Sequence, residues 1–445
     1  MKKFVLLLFV IALLFSLQMP LALADDISLP EYVNIGLIYG ENAVSSANAS
    51  ADGFAVTDLY GSPLMSADGS TQLTVKNEGG AICIYEGYSL LFSYNGGIVL
   101  DPIGEYISLN GTQYRGSLKF VADGSLLNVI NVVDIDSYLY GVVPKEIGGQ
   151  SHIEALKAQA VTARSYTARF IGKHKADGFD ICNTVHCQVY GGVSAETIPA
   201  NTAVDATSGI VAMYDGKVAE LYYFASDGGA TEDVENVWGS TDHPYLKGVD
   251  DPYETDKATH HKWSVTLSKD EINEIFAGYD LGDITDVSVE ETSEKGAVTS
   301  LKVTGTKGSK TFKKSECRSA FAGKTYSQAY TITKNYANAI ETPKAITSSG
   351  IISLPSTIYV LGSDGKVIEK KIEEVTVISK SGVSKLVPDG GEVTSYTING
   401  RGYGHLIGMS QWGARAMADQ GFTYEEILCH YYTGIELTHL RGNVE

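Results

Sequence analysis

The stretch Glu154-Ala-Leu-Lys-Ala-Gln-Ala-Val-Thr-Ala-Arg-Ser-Tyr166 is the first convincing helical pattern in a chain that otherwise reads mainly as strands. Ile153, Leu156, Ala160, Ala163 and Thr167 recur at helical spacing and define one apolar stripe. Alanines on that stripe let a neighbouring element approach closely. Ser151 with Glu154 three residues on predicts a capping box, and Gly172 a stop, so the helix is expected over 151–171. Upstream, residues 31–130 alternate apolar and polar, as in Val33-Asn-Ile-Gly-Leu-Ile-Tyr39 and Ala81-Ile-Cys-Ile-Tyr85. Asp123-Gly124 between two alternating runs is a hairpin turn. Downstream, residues 266–335 and 355–397 are again strand-rich, with turns such as Ser363-Asp-Gly-Lys366. The Gly-rich segment 402–413 opens a helix ending near Gly421, and Thr423 with Glu426 predicts a second capping box. The expected fold is α+β, mostly β-strands with a few helices, carrying strand-rich inserted appendages.

A chain of 445 residues is too long for one ordinary core. The N-terminus reads as a secretory signal: Lys2 and Lys3 precede the apolar run Phe4–Leu17, and Ala22-Leu-Ala24 supplies small residues for cleavage. The apolar run is short for a membrane span. The expected organisation is a signal peptide at 1–24, a β-rich region at 25–108, a first part of the core at 109–265, a β-rich insertion at 266–397 and a second part of the core at 398–445. The protein is thus expected to be secreted, at the cell wall or associated with the membrane.

Losing Lys2 and Lys3 with the signal takes the net charge from −19 to −21. Such a chain has no electrostatic attraction for nucleic acid, whose binding needs cations to displace counterions. Anionic wall polymers should repel it too, which leaves neutral glycan as a natural partner. Acidity also serves plain solubility.

Glu146 closes the segment Tyr138-Leu-Tyr-Gly-Val-Val-Pro-Lys-Glu146, on what reads as a Pro- and Gly-flanked turn before the helix. Glycosidic cleavage needs a carboxylic acid to protonate the leaving oxygen, and a hydrolase adds a second carboxylate. No partner carboxylate is evident beside Glu146: Asp134 and Asp136 lie before the Tyr-Leu-Tyr run, and Glu154 is assigned to the cap. That arrangement suits a scheme in which one carboxyl serves as acid and as base. Lys157 and Arg164, seven residues apart, share one edge of the apolar stripe. There they either snorkel to water or bind sugar oxygens and orient Glu146.

His174, Cys182, His186 and Cys187 place two imidazoles and two thiols within fourteen residues, a set suited to tetrahedral zinc. A Cys182–Cys187 disulfide is the alternative in an oxidising compartment, and free thiols the third. Five cysteines, an odd number, argue against a full disulfide framework. Tyr222, Tyr223, Trp238, Tyr245, Tyr403, Trp412, Tyr431 and Tyr432 could offer aromatic faces to sugar rings or simply pack. His405, Ser410 and Gln411 sit in a Gly-rich loop that allows close backbone approach.

Three blocks of sequence resemble the stage II sporulation protein D and amidase-enhancer family. Residues 109–192 hold YRG, YLYGVVPKE, EALKAQAVTARSY and CQVYGG; residues 222–248 hold YYFASDGGATEDVENVWG and PYLKGV; residues 402–437 hold GYGHLIGMSQWGARAMADQG and YEEILCHYYTGIEL. The resemblance implies a lytic transglycosylase that cuts peptidoglycan glycan strands between N-acetylmuramic acid and N-acetylglucosamine, leaving 1,6-anhydro ends. It further implies strands already stripped of peptides by an amidase. Glu146 matches the family's catalytic acid, Lys157, Gln159 and Arg164 its site helix, Tyr223 and Ser226 a Tyr-x-x-Ser, and His405, Ser410 and Gln411 the third block. Some members hold zinc in the loop matching Cys187–Gly192, where it would shape the groove and take no part in the chemistry. Asp227 departs from the small hydroxyl residue expected before Gly228-Gly229. A non-catalytic amidase enhancer and a glycan-binding wall module are the competing readings.

Overall fold

The computed structural model of the protein describes residues 29–336 and 393–440, with short paired strands between 344 and 385. The expected signal peptide lies outside the described residues. Among the described residues, no helix is long and apolar enough to cross a membrane. The chain divides into two compact units, residues 1–221 with 435–445, and residues 222–434.

The first unit is built on one sheet. Its strands in chain order are β1 (Tyr32–Ile38), β2 (Ser46–Asp58), β3 (Pro63–Glu78), β4 (Ala81–Glu86), β5 (Ser89–Tyr94), β6 (Ile98–Pro102), β7 (Ile107–Leu109), β8 (Thr112–Tyr114), β9 (Ser117–Asp123), β10 (Leu126–Asp134) and β11 (Ile181–Cys182). They run in the order β11-β1-β10-β9-β6-β2-β3-β4-β5, with the β7–β8 hairpin attached to β2. β11 lies parallel to β1 and the other pairs are antiparallel. The alternation read in the sequence has its cause here: Val33 and Ile35 of β1, Leu118 and Phe120 of β9, and Leu127 and Val129 of β10 are fully buried. Truncating Phe120 to Ala should cost about 3–5 kcal/mol. The boundary expected at 108/109 falls inside the β7–β8 hairpin, so the strands before and after it belong to one sheet.

Among the described residues three helices complete this unit: α1 (Ile135–Val143), α2 (Ile153–Phe170) and α3 (Ile198–Ala206). α1 follows β10 directly because Asp134 caps it, accepting from the Ser137 N–H at 2.9 Å. The segment expected as a turn is therefore helical, and it passes into a single π-turn at Pro144–Gly148. The capping box expected at Ser151 and Glu154 is replaced. His152 is the N-cap, its Nδ1 accepting from Glu154 N–H, while the Ser151 hydroxyl donates to the Ile147 carbonyl at 2.8 Å.

α2 is buried around most of its circumference rather than along one stripe. Small side chains permit this, and Thr162 and Ser165 return their hydroxyls to the carbonyls of Ala158 and Val161. The strand Ile210–Tyr214 pairs with Lys217–Val218 and with Glu436–His439, so the last strand of the chain belongs to this unit.

In the second unit the strands Lys262–Ser268, Val393–Arg401 and Tyr330–Tyr336 form one sheet and residues 284–313 a three-stranded meander. Its helices are α4 (Val234–Val237), α5 (Lys269–Phe276), α6 (Glu316–Ser319), α7 (Gln411–Asp419) and α8 (Tyr424–Tyr431). The expected capping box of α8 is present at Thr423 and Glu426. α5 was not anticipated in a stretch read as strands, although Ser268 and Glu271 form a capping box that was visible in the sequence. One core joins Trp263, Phe276, Leu301, Phe321, Tyr330 and Ile398, and so crosses both ends of the expected insertion. Three two-stranded hairpins lie between Lys344 and Lys385, and the expected turn at Ser363–Lys366 lies partly outside the described residues.

Candidate functional site

Glu146 stands in the π-turn that extends α1, half-buried between the buried Pro144 and Ile147. A π-turn inserts one extra residue per turn and re-aims the side chain it carries, a feature found often at functional sites. The Glu146 Oε1 accepts the backbone N–H of Val189 at 2.8 Å. Its charge also helps raise the phenols of Tyr138 and Tyr166, after the larger effect of their burial. The carboxyls nearest in sequence are committed elsewhere: Asp134 to its cap, Asp136 to Arg164, and Glu154 to Lys157 at 2.7 Å.

Val189 belongs to the loop that carries the candidate metal ligands. One donor atom each from His174, Cys182, His186 and Cys187 lies within 4.8 Å of the other three. A zinc tetrahedron with ordinary bond lengths has edges of about 3.3 Å for two nitrogens, 3.6 Å for nitrogen and sulfur, and 3.8 Å for two sulfurs. The structure has His174 Nε2 to His186 Nδ1 at 3.2 Å, Cys182 Sγ to His186 Nδ1 at 3.6 Å, and Cys187 Sγ to the same nitrogen at 3.8 Å. The other nitrogen of His174 meets the Asp177 carboxylate at 2.9 Å, as a carboxylate orients an imidazole ligand. No disulfide joins Cys182 and Cys187. Burial opposes ionisation of the Cys182 thiol, yet hydrogen bonds from Thr184 and His186 bring it down to about 6. The four residues fit zinc. Between Cys187 and Val189, the buried Gln188 accepts from Tyr138 of α1 and from Thr167 of α2 at 3.3 and 2.8 Å, tying this loop to both helices.

The three residues singled out on α2 have unlike surroundings. Lys157 is partly exposed and ion-paired with Glu154. Gln159 is fully buried. Arg164, expected at the edge of the stripe and in reach of sugar, has a fully buried side chain. Its guanidinium holds Asp136 Oδ1 at 2.8 Å and the carbonyls of Thr207, Ile210 and Val204, all beyond reach of local spacing. Asp136 in turn accepts from the Ser208 hydroxyl at 2.5 Å. Arg164 is a brace between α1, α2 and the end of α3.

In the second unit, the short parallel pair Tyr223–Phe224 and Met409–Ser410 brings together the residues of two distant blocks. The Ser226 and Ser410 hydroxyls both donate to one carboxylate, Glu254, at 2.6 and 2.8 Å. Both serines are fully buried, and Ser410 also caps α7 by accepting from Gly413 N–H. Gln411 is buried beside them as the first residue of α7. His405 lies against the strand end, its Nε2 on the Tyr223 carbonyl and its Nδ1 accepting from Ile407 N–H, both at 3.0 Å. Burial, with the Arg318 cation nearby, lowers His405 to about 3, so this imidazole is neutral across the physiological range. Among the expected aromatic faces, Tyr245, Tyr431 and Tyr432 are buried, while Trp238 and Tyr403 are exposed.

Glu254 was missed by sequence reasoning, which had no spacing pattern to find it. It also accepts the N–H groups of Asp227 and Gly228 and faces His261 Nδ1 at 3.0 Å. Asp227, Asp251 and Glu254 gather within 4.8 Å, all buried. Protein donors occupy Glu254 and Asp251, the latter taking the Tyr431 hydroxyl at 2.6 Å and two backbone N–H groups. The Oδ2 of Asp227 finds no donor. Burial and the charges of Asp251 and Glu254 therefore hold the Asp227 carboxyl protonated well above the usual carboxylate range. Gly413 makes this packing possible, since a Cβ there would lie 1.9 Å from Asp251 Oδ2.

Residues 123–214, which span the end of the main sheet, the π-turn, α2 and the ligand loop, match the family described as Stage II sporulation protein. Residues 250–350 match a domain of unknown function (DUF8618). The chain is 30% identical over 347 residues to an uncharacterized protein of Brachyspira hyodysenteriae, covering 77% of each. It is 30% identical over 356 residues to the amidase enhancer of Bacillus subtilis, covering 75% of this chain and 45% of that one, so it spans less than half the length of that relative. Identity to stage II sporulation protein D of Bacillus subtilis is 26% over 321 residues, covering 69% of this chain and 75% of the other. These likenesses support a role related to the cell wall and to sporulation. The long relative covered over most of its length and the match across the Glu146 and ligand-loop region together place the chain in the stage II sporulation protein D family.

Proposed function

We propose that the protein is an exported lytic transglycosylase acting on peptide-stripped glycan strands of peptidoglycan, with Glu146 as its single acid and base. The observation that carries this reading is the placement of Glu146: half-buried in a π-turn, with one oxygen held by Val189 N–H and the neighbouring carboxyls tied to other partners. A hydrolase needs a second carboxyl to activate water; an intramolecular attack does not. In the proposed reaction Glu146 as the acid donates its proton to the oxygen linking C1 of N-acetylmuramic acid to C4 of N-acetylglucosamine, and that C1–O bond breaks. The 6-hydroxyl of the same muramic residue then closes on C1, forming the C1–O6 bond, and gives its proton to the Glu146 carboxylate. The acid is regenerated and no water is consumed.

The named residues of each unit have their own part in the proposed scheme. Arg164 and Asp136 fix α2 against α1 as positioning residues. Lys157 and Gln159 are proposed to serve substrate beside Glu146 within the first unit; within the second unit Tyr223, Ser226, His405, Ser410 and Gln411 are proposed as a glycan-binding group, Ser226 and Ser410 through Glu254 and His405 as a neutral ring. Zinc held by His174, Cys182, His186 and Cys187 would keep the ligand loop rigid, and with it the Val189 N–H; it supplies no chemistry to the sugar.

The relative named amidase enhancer supports a second reading, in which the chain speeds a wall amidase and cuts nothing. Mass spectrometry separates the two. Purified full-length protein on amidase-treated sacculi should release 1,6-anhydro products, and the Glu146→Gln variant should not. Release of no such product by the unsubstituted protein, with faster peptide release when an amidase is added, would favour the second reading.

A further inference from the structure

One cavity of the second unit shares only His405 with the scheme above. It encloses about 570 Å³ and is lined by Trp238, Tyr403 and His405 and by Arg318, Tyr326 and Gln328 from the 250–350 region. Two of its donors lack acceptors. Gln328 is 1% exposed, and its amide nitrogen has no hydrogen-bond partner. The half-buried Arg318 guanidinium meets no carboxylate among the described residues; burial lowers its pKa, and the Tyr403 phenol is the one group that opposes this. A desolvated amide N–H and an unpaired guanidinium both favour an acceptor, and the guanidinium favours an anionic one.

The walls are aromatic and open. Trp238 is 38% exposed and Tyr403 43%, and the rings are held by aromatic contacts, Trp238 tilted against His405 at 5.1 Å and Tyr403 edge-on to Tyr326 at 5.8 Å. Fixed aromatic faces suit the C–H face of a pyranose, and the two donors suit a charged arm on that ring. His405 is neutral with both nitrogens committed, so it adds wall and no charge. In a chain of net charge −19, one guanidinium set in an aromatic cavity selects rather than merely attracts.

We propose that this cavity is a subsite for a pyranose bearing a carboxylate arm, read by Arg318 and Gln328. Resting on the function proposed above, that arm is the lactyl carboxylate of N-acetylmuramic acid, which exists as a free anion only after its peptide has been removed. While the peptide is attached, the same carbonyl is a neutral amide and the guanidinium stays unmatched. The cavity thereby sorts stripped strands from peptide-bearing ones.

The test is binding without cleavage. Full-length protein carrying Glu146→Gln is titrated by calorimetry with two probes: a tetrasaccharide of alternating N-acetylglucosamine and N-acetylmuramic acid with free lactyl groups, and the same tetrasaccharide with each lactyl group converted to a methylamide. The free acid should bind about 10–100-fold more tightly, the range expected for hydrogen bonds to a charged group. Adding Arg318→Gln should weaken the acid alone and erase the difference, and Arg318→Lys should restore part of it, with unchanged melting temperature showing that both variants fold. Equal affinity for the two probes, or equal weakening of both by Arg318→Gln, would overturn the subsite. A protein that discriminates the probes yet yields no anhydro product with Glu146 in place would sink the transglycosylase reading and leave the subsite standing. Cleavage without discrimination would do the reverse.

Discussion

Val189 gives its backbone N–H to the Glu146 carboxylate at 2.8 Å, two residues after Cys187, so the loop that gathers two thiols and two imidazoles also holds the acidic side chain. Loop order and carboxylate position are coupled through a main-chain bond that, among substitutions at Val189, only proline removes. Glu146→Gln keeps an oxygen for that bond but can neither give up nor take back a proton at the sugar.

Glu146→Gln should therefore fold with a melting temperature near that of the parent while its release of anhydro products falls at least about 100-fold, the lower end of what a positioned acid and base contribute. Product yield from amidase-treated sacculi, quantified by mass spectrometry, checks this. Undiminished yield refutes the assigned role.

The ligand loop should carry zinc. Protein purified without added metal is expected to contain about one equivalent by elemental analysis, lost in Cys182→Ser and in His186→Ala. Asp177→Ala, which removes the carboxylate behind His174, should weaken metal affinity about 10–100-fold. Metal-free protein that keeps the parent's melting temperature and activity would show that the four donors have another use.

Arg164 and Lys157 should separate stability from surface charge. Arg164→Ala takes the buried donor from three carbonyls and the cation from the partly exposed Asp136, and the expected loss is about 3–5 kcal/mol. Lys157→Ala removes a helix-surface pair with Glu154 and should cost less than about 1 kcal/mol. Urea unfolding of the two variants decides it, and similar losses in both would contradict the bracing role of Arg164.

Asp227 should make stability fall as pH rises. Its folded carboxyl holds a proton well above the usual range, while in the unfolded chain it ionises near pH 4. The folded state thus binds more protons between those two values, and its stabilising share, complete below about pH 4, is lost as pH climbs through the folded value. The slope for one such group is at most about 1.4 kcal/mol per pH unit. Asp227→Asn cannot ionise, so its advantage over the parent in thermal unfolding should grow from pH 4 to pH 8. A constant difference between the two proteins across that range would mean that Asp227 is ionised in the fold.

Local spacing carried the reading a long way. The alternation of β1, β9 and β10, the position of α2 within two residues at its start, and the cap of α8 all follow from near neighbours in the chain. So does the clustering of His174, Cys182, His186 and Cys187, because four donors within fourteen residues can converge through one loop. The misread turn at Tyr138–Val143 shows the limit. Asp134 and Ser137 make a cap that is legible after the fact, but Gly141 and Pro144 outweighed it, and the glycine lies against the Tyr190 ring where a Cβ would be 2.5 Å away.

The sequence by itself determined the strands of the main sheet, α2, the cap of α8 and the acidic character of the chain, and it singled out Glu146 and the four loop donors as candidates, since each of these rests on residues close along the backbone. Only the tertiary structure decided that Arg164 is sealed against Asp136, that Ser226 and Ser410 meet on Glu254, and that Arg318 opens with Gln328 onto an aromatic cavity. Periodicity tells which face of an element is apolar. It cannot say which distant group a buried cation or hydroxyl will find, because that partner is chosen by how the elements pack, and the cost of leaving a buried polar group unmatched enforces the choice.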